Sequence, residues 1–285
     1  MENQRASFVR NERVSAALDA AISGGKANLL RLFDELSRNS GLPSPKPNWE
    51  LAQAVGQHLA REGRKAEAVL SALQNSEDEF NKIVALATYS ARILSAFDEA
   101  RSMQAMQDIA EDGRHIVRAG TVLALRTLIS ERQDRAVGEL KAWMDGYLQA
   151  HLVLEALSDR TLLSKIKGSA ELLARLDEAF DLADLSPRAA ERSQGMRLLR
   201  GSLPAQIVVF AARFSEVLSW LGEKTQCKRP ESREVVANAI SLLRKASLSD
   251  ADAAKLFSGL EQSAKPPRDP SRIVGGTRKR AKGRN

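Results

Sequence analysis

Residues 111–130 read EDGRHIVRAGTVLALRTLIS, and this stretch decides the fold. At helical spacing, Val117, Val122, Leu123, Ala124, Leu125, Leu128 and Ile129 cover most of the circumference of one helix. A helix that is apolar nearly all round must be buried from several sides. The pattern recurs in residues 147–157, with Leu148, Leu152, Val153, Leu154 and Leu157, and again in residues 207–221. A small bundle would leave half of each such helix polar. Helices sandwiched between neighbours in a larger array explain the pattern instead.

The rest of the chain agrees. Its 285 residues are 43% hydrophobic but only 5% aromatic, so the core must be built of Leu, Ala, Val and Ile. No hairpin signal stands between alternating strands. The periodicity predicts a helical pair at 10–22 and 26–38, split by Gly24 and Gly25. Residues 39–48, NSGLPSPKPN, carry three prolines, which forbid a continuous helix and mark an internal linker. Further helices are predicted at 49–61, 64–74, 77–95, 98–111, 114–131, 134–144, 147–157, 160–183, 187–200, 203–223, 231–246 and 250–263. Ser76 and Glu79 have capping-box spacing. Pro187 and Pro230 suit first helical positions. Ser249 opens the last helix, with Asp250 and Asp252 at its positive end. The expected organisation is an N-terminal helical pair (1–38), the Pro-rich linker (39–48), a helical body (49–264) and a tail (265–285).

Asp112-Gly113 and Asp145-Gly146 lie 33 residues apart, each after one helix and before another. That spacing between helix-turn-helix units marks a solenoid. Residues 111–120 resemble the turn and second-helix start of a HEAT repeat, a family in which a turn Asp and a Val-Arg pair recur. The Asp145 unit keeps the Asp but has Gln149-Ala150 where Val-Arg belongs. The resemblance implies an all-α, HEAT-like α-solenoid, with Asp112 capping a helix and Arg118 bonding to a turn carboxylate of an adjacent repeat. Asp145 would repeat the turn role.

Charge is distributed unevenly. In the tail, Lys265, Arg268, Arg272, Arg278, Lys279, Arg280, Lys282 and Arg284 stand against the single acid Asp269, which accounts for the whole net charge of +7. The body is therefore electroneutral. Low apolar content and abundant Pro and Gly predict a disordered tail, because burial cannot offset its ordering entropy. Its chemistry suits phosphate contact with DNA or RNA, or contact with another anionic surface. No aromatic interleaves the charges, so any such contact is sequence-independent. In the body, Arg188, Arg192, Arg197 and Arg200 form a second, shorter basic stripe that could meet phosphate.

Catalytic constellations are missing. His58, His115 and His151 have no metal-site spacing, and one cysteine, Cys227, supplies neither a disulfide nor a thiolate zinc site. The cations around Cys227 are expected to lower its pKa. No glycine-rich phosphate loop follows a strand. No cofactor and no metal are expected. The N-terminal segment lacks a signal-peptide core, and the longest apolar run, 207–212, is far short of a membrane span. A cytoplasmic setting is expected. The leading expectation is thus a non-catalytic binding or scaffold protein, with a groove for a protein partner and a tail for nucleic acid. An alternative comes through the HEAT-like resemblance: DNA repair glycosylases acting on alkylated purines gather Trp, Asp and Arg in a basic groove. Trp143 and Asp145, with Arg118 and Arg126, are the matching residue types. A third reading is a helical regulator with no nucleic-acid role.

Overall fold

A computed structural model describes residues 12–44, 46–246 and 248–264. Among them the regular structure is entirely helical. The basic tail, with Lys265 to Arg284, lies outside the described residues. No described helix is long and apolar enough to cross a membrane.

The helices are α1 (Glu12–Ser23), α2 (Lys26–Asn39), α3 (Trp49–Glu62), α4 (Glu67–Gln74), α5 (Glu79–Leu94), α6 (Glu99–Ala110), α7 (His115–Arg132) and α8 (Asp134–Glu139). They continue as α9 (Tyr147–Leu157), α10 (Arg160–Leu163), α11 (Ala170–Asp184), α12 (Gln194–Ala211), α13 (Glu216–Lys224), α14 (Pro230–Ala246) and α15 (Asp250–Gln262). Short 3-10 turns cover Gly63–Ala66, Leu140–Trp143 and Arg188–Arg192.

One series of helices runs through the molecule. α3 packs on α5, α5 on α7, α7 on α9, α9 on α12, and α12 on α14. The intervening helices flank this series: α4 and α6 lie on α5, α11 touches α8, α9, α12 and α14, and α13 lies between α12 and α15. This order explains the all-round apolar helices. α7 meets α5, α6, α8 and α9, and buries Val117, Val122, Ala124, Leu125, Leu128 and Ile129 in one contiguous core. α1 and α2 pack on each other and reach α4 and α5, so Val14, Leu18, Leu32 and Leu36 join that core.

Two crossings are unusually close. A methyl group at Gly56 of α3 would stand 2.7 Å from the backbone of Ala87 and Thr88 in α5. One at Gly120 of α7 would stand 2.6 Å from Ile83 Cγ1 of α5. Glycine at these two positions lets both α3 and α7 approach α5 closely.

Residues 39–48 fold back on themselves. Asn48 N donates to Ser40 O at 2.7 Å, and Asn48 Nδ2 donates to Asn39 O at 3.0 Å. Asn48 Oδ1 in turn accepts from Leu51 N at 3.1 Å and caps α3. The closed loop fixes where Trp49 begins its helix.

Several local expectations are corrected. The helix expected at 160–183 is broken between Leu163 and Ala170, because Asp134 accepts from Lys167 N and Gly168 N and fixes the chain in a turn. The break expected between 200 and 203 does not occur: Pro204 sits inside α12, where packing against α9 and α14 overrides its preference, and the chain breaks later, between Ala211 and Glu216. The capping box at Ser76 does not form. Asp78, whose carboxylate accepts from Phe80 N at 2.8 Å and Asn81 N at 3.2 Å, takes the cap. Ser76 instead accepts from Asp78 N and Asn81 Nδ2. Ser249 caps α15 as expected, accepting from Asp252 N.

A cation-lined groove as candidate functional site

Along α7, His115, Arg118, Ala119, Val122, Leu123 and Arg126 recur every three or four residues, which places them on one face of the helix. α9 contributes His151, Leu152 and Glu155 beside that face, and α12 contributes Leu198. The closed loop before α3 brings Lys46, Pro47 and Trp49 over it. Together these residues line a cavity of about 600 Å³. A second cavity of about 430 Å³ shares Trp49, Leu123 and Arg126 and continues toward Thr127, Asp159 and Thr161. The two form one elongated groove with an apolar floor and polar ends. Gln53 Nε2, donating to Thr127 Oγ1 at 3.3 Å, ties α3 to α7 along its length.

The charged groups of the groove differ in how they are held. Arg126 Nη1 lies 3.6 Å from Asp159 Oδ2, and Arg126 Nη2 donates to Glu155 O at 3.4 Å. Glu155 Oε2 accepts from Gln206 Nε2 at 3.3 Å. Ser202 Oγ donates to Leu199 O at 3.2 Å, so His151 Nδ1, 2.9 Å from that hydroxyl, acts as the donor. The neutral ring then carries its lone pair on Nε2. Burial holds the His151 pKa below its ordinary value, and the charge of Arg118 adds to this while Glu155 opposes it. Arg118 is 9% exposed and donates to Gly113 O. Among the described residues no carboxylate stands within ion-pair distance of it.

Other residues singled out in the sequence fall elsewhere. Asp112 does not cap α7; the residue before that helix is Arg114, which makes no side-chain cap. Asp112 accepts instead from Arg114 N, Arg114 Nε and Arg114 Nη2, and from Lys82 Nζ of α5 at 3.0 Å. The Arg114 guanidinium, helped by Lys82, holds this carboxyl well below the usual range. Arg118 bonds to the Gly113 carbonyl of its own turn, not to a turn carboxylate. Asp145 is exposed beside Gly146, which precedes α9 and provides no side-chain cap.

Trp143 is fully buried, with Nε1 3.2 Å from Met103 Sδ, and lies away from the groove. It is Trp49 that lies in the groove with Arg118 and Arg126. In the body stripe, Arg188, Arg192 and Arg197 are exposed, but Arg200 is tied to Glu191, Ala183 O and Ser186. Arg229 holds the same glutamate. Cys227 behaves opposite to expectation: burial, together with Asp184, raises its pKa and outweighs Arg233 and Lys224.

Comparison of the chain with family models, with curated proteins and with solved structures finds no match.

Proposed function

We propose that this chain is a non-catalytic binding protein of the HEAT-like α-solenoid kind, with the groove between Trp49, α7 and α9 as its protein-binding surface. The observation that carries the reading is the groove itself. An apolar floor of Val122, Leu123, Leu152 and Leu198 is flanked by Lys46, Arg118 and Arg126, with Glu155 the single carboxylate of the larger cavity. Such a surface suits a segment that combines apolar and acidic side chains. The helix order supports the solenoid reading, since every second helix from α3 to α9 stacks on the next. The tail, with its eight cations, would add contact with nucleic acid or another anionic surface in a cytoplasmic setting.

The glycosylase reading gains nothing from Trp143, which is fully buried and is not among the residues lining the groove with Arg118 and Arg126. The regulator reading differs from ours only in the role of the tail. Two measurements test the proposal. Capture of partners from the native host is compared for the wild type and Leu123→Asp, a charge reversal on the groove floor; equal capture sinks the groove. Binding of generic duplex DNA and single-stranded RNA is followed across salt with and without residues 265–285. Each neutralised phosphate contributes a slope of about 0.9 in log K against log salt on duplex DNA. An unchanged slope after truncation leaves the regulator reading in place.

A further inference from the structure

Three arginines are nine-tenths or more buried among the described residues: Arg92, Arg118 and Arg175. Arg92 pairs with Glu67 at 2.9 Å, and Arg175 with Glu178 at 2.8 Å. Arg118 has no such partner, only the Gly113 carbonyl of its own turn. A guanidinium cannot shed its proton at any ordinary pH, so it cannot escape the cost of burial by neutralising. One bond to a carbonyl leaves four of its five N–H donors for other groups. This side chain lines the 600 Å³ cavity, a volume within the roughly 300–1,000 Å³ range of small-ligand pockets.

The surroundings define the missing partner. Val122, Leu123, Leu152, Leu198 and the half-buried Trp49 provide apolar walls. Of the charged groups facing the cavity, Arg126 is held by Asp159, while Lys46 and His115 lie exposed at the mouth. His151 is kept neutral by its burial, and Glu155 is a carboxylate one turn along α9. Arg118 is therefore the buried cation of this cavity without an ion pair, and a dianion would bring more negative charge toward the carboxylate of Glu155 than a monoanion does.

We propose that the Arg118 pocket binds a carboxylate carried on an apolar or aromatic body. The carboxylate takes the free edge of the guanidinium in a bidentate pair, the strongest geometry open to it. The body lies on Leu123 and Leu152 against Trp49. The carboxylate comes either from a small organic acid or from the chain end of a peptide. This rests on the groove being the binding surface, and it names the chemistry recognised there.

The test uses the full chain and follows both thermal unfolding and Trp49 fluorescence. The probes are phenylacetate, its amide phenylacetamide, and phenyl phosphate. Two further probes are an N-acetylated peptide ending in Leu-Leu with a free carboxylate, and the same peptide amidated. Phenylacetate is expected to raise the unfolding temperature and quench Trp49, with the amide at least about tenfold weaker, as loss of a buried charge-assisted pair requires. Arg118→Met abolishes the discrimination between acid and amide. If that variant fails to fold, Leu123→Trp, which fills the cavity and leaves Arg118 in place, abolishes binding of both. Binding by the free-ended peptide but not its amide identifies a chain end as the source, and binding by phenylacetate alone identifies a small acid. The proposal is overturned if no carboxylate probe binds, if acid and amide bind alike, or if phenyl phosphate binds tighter than phenylacetate. Failure of every probe, with Leu123→Asp still abolishing partner capture, removes this pocket and leaves the protein-binding groove. Acid binding with capture unaffected by Leu123→Asp does the reverse.

Discussion

Gly56→Ala tests the packing that places the groove. An added Cβ would stand 2.7 Å from Ala87 C and Thr88 N, and 3.0 Å from Ala87 Cβ. Ordinary van der Waals contact begins near 3.4 Å, so α3 must move away from α5 by about 0.7 Å. The atoms it meets are backbone inside a helix, and no rotamer change relieves them. Against this, alanine is favoured over glycine in a helix interior by about 1 kcal/mol. Overpacking of a close-packed core costs about 1–3 kcal/mol, and the upper part of that range applies where a backbone must shift. The net expectation is a loss of about 1–2 kcal/mol. Gly120→Ala is a second test of the same kind, because the added methyl meets Ile83 Cγ1 at 2.6 Å, the branch atom of a fully buried residue whose χ1 is stiff in a helix. A net loss of about 1–2 kcal/mol is expected there too. Urea denaturation followed by circular dichroism measures both. A stabilised Gly56→Ala, gaining about the 1 kcal/mol that helix propensity alone gives, would refute the close α3–α5 crossing.

Other consequences follow from single residues. Trp143→Ala empties one of the largest fully buried sites in the core and is expected to cost about 3–5 kcal/mol in the same denaturation experiment. Asp78→Ala removes the cap from two amides of α5 and should cost about 1 kcal/mol, whereas Ser76→Ala, outside the cap itself, costs less. The folded pKa of His151 lies below the unfolded value near 6.5, because burial disfavours its charged form. The unfolded chain thus binds the extra proton first, so His151 favours the folded state fully above pH ~6.5 and loses that contribution as pH falls toward the folded pKa. Stability measured from pH 8 to 5 should decline more steeply for the wild type than for His151→Asn; equal slopes would remove His151 as the cause.

Much of the helix layer is legible in the linear chain. The apolar circumference of residues 117–129 foretells a helix enclosed on several sides, and α7 meets five helices, α5, α6, α8, α9 and α10. Local breaks are less legible, because distant groups decide them. Asp134 ends the helical run at Lys167 by accepting amides 33 and 34 residues away. Pro204 stays inside α12 because the neighbours of that helix hold it there. Asp78 displaces Ser76 as a cap for a simpler reason: its carboxylate stands two residues nearer the amides that need it.

The groove was half visible. His115, Arg118, Val122 and Arg126 have the spacing of one helix face, a signal that Asp112 and Trp143 drew attention away from. Trp49 joins them only because residues 39–48 close on themselves, which no periodicity announces. The unpaired charge of Arg118 cannot be read from any motif. It depends on where every acidic side chain of the folded body ends up.

The central claim, that the Trp49–Arg118–Leu123 groove is the surface that meets a partner, has one direct measurement. Trp143 and Trp220 are buried, so the tryptophan fluorescence open to acrylamide belongs to Trp49. The protein is titrated with acrylamide alone and in complex with the partner captured from its host. Our account predicts that the quenchable fraction is lost in the complex and returns when Leu123→Asp prevents binding. A complex in which Trp49 remains as open to acrylamide as in the free protein would contradict it.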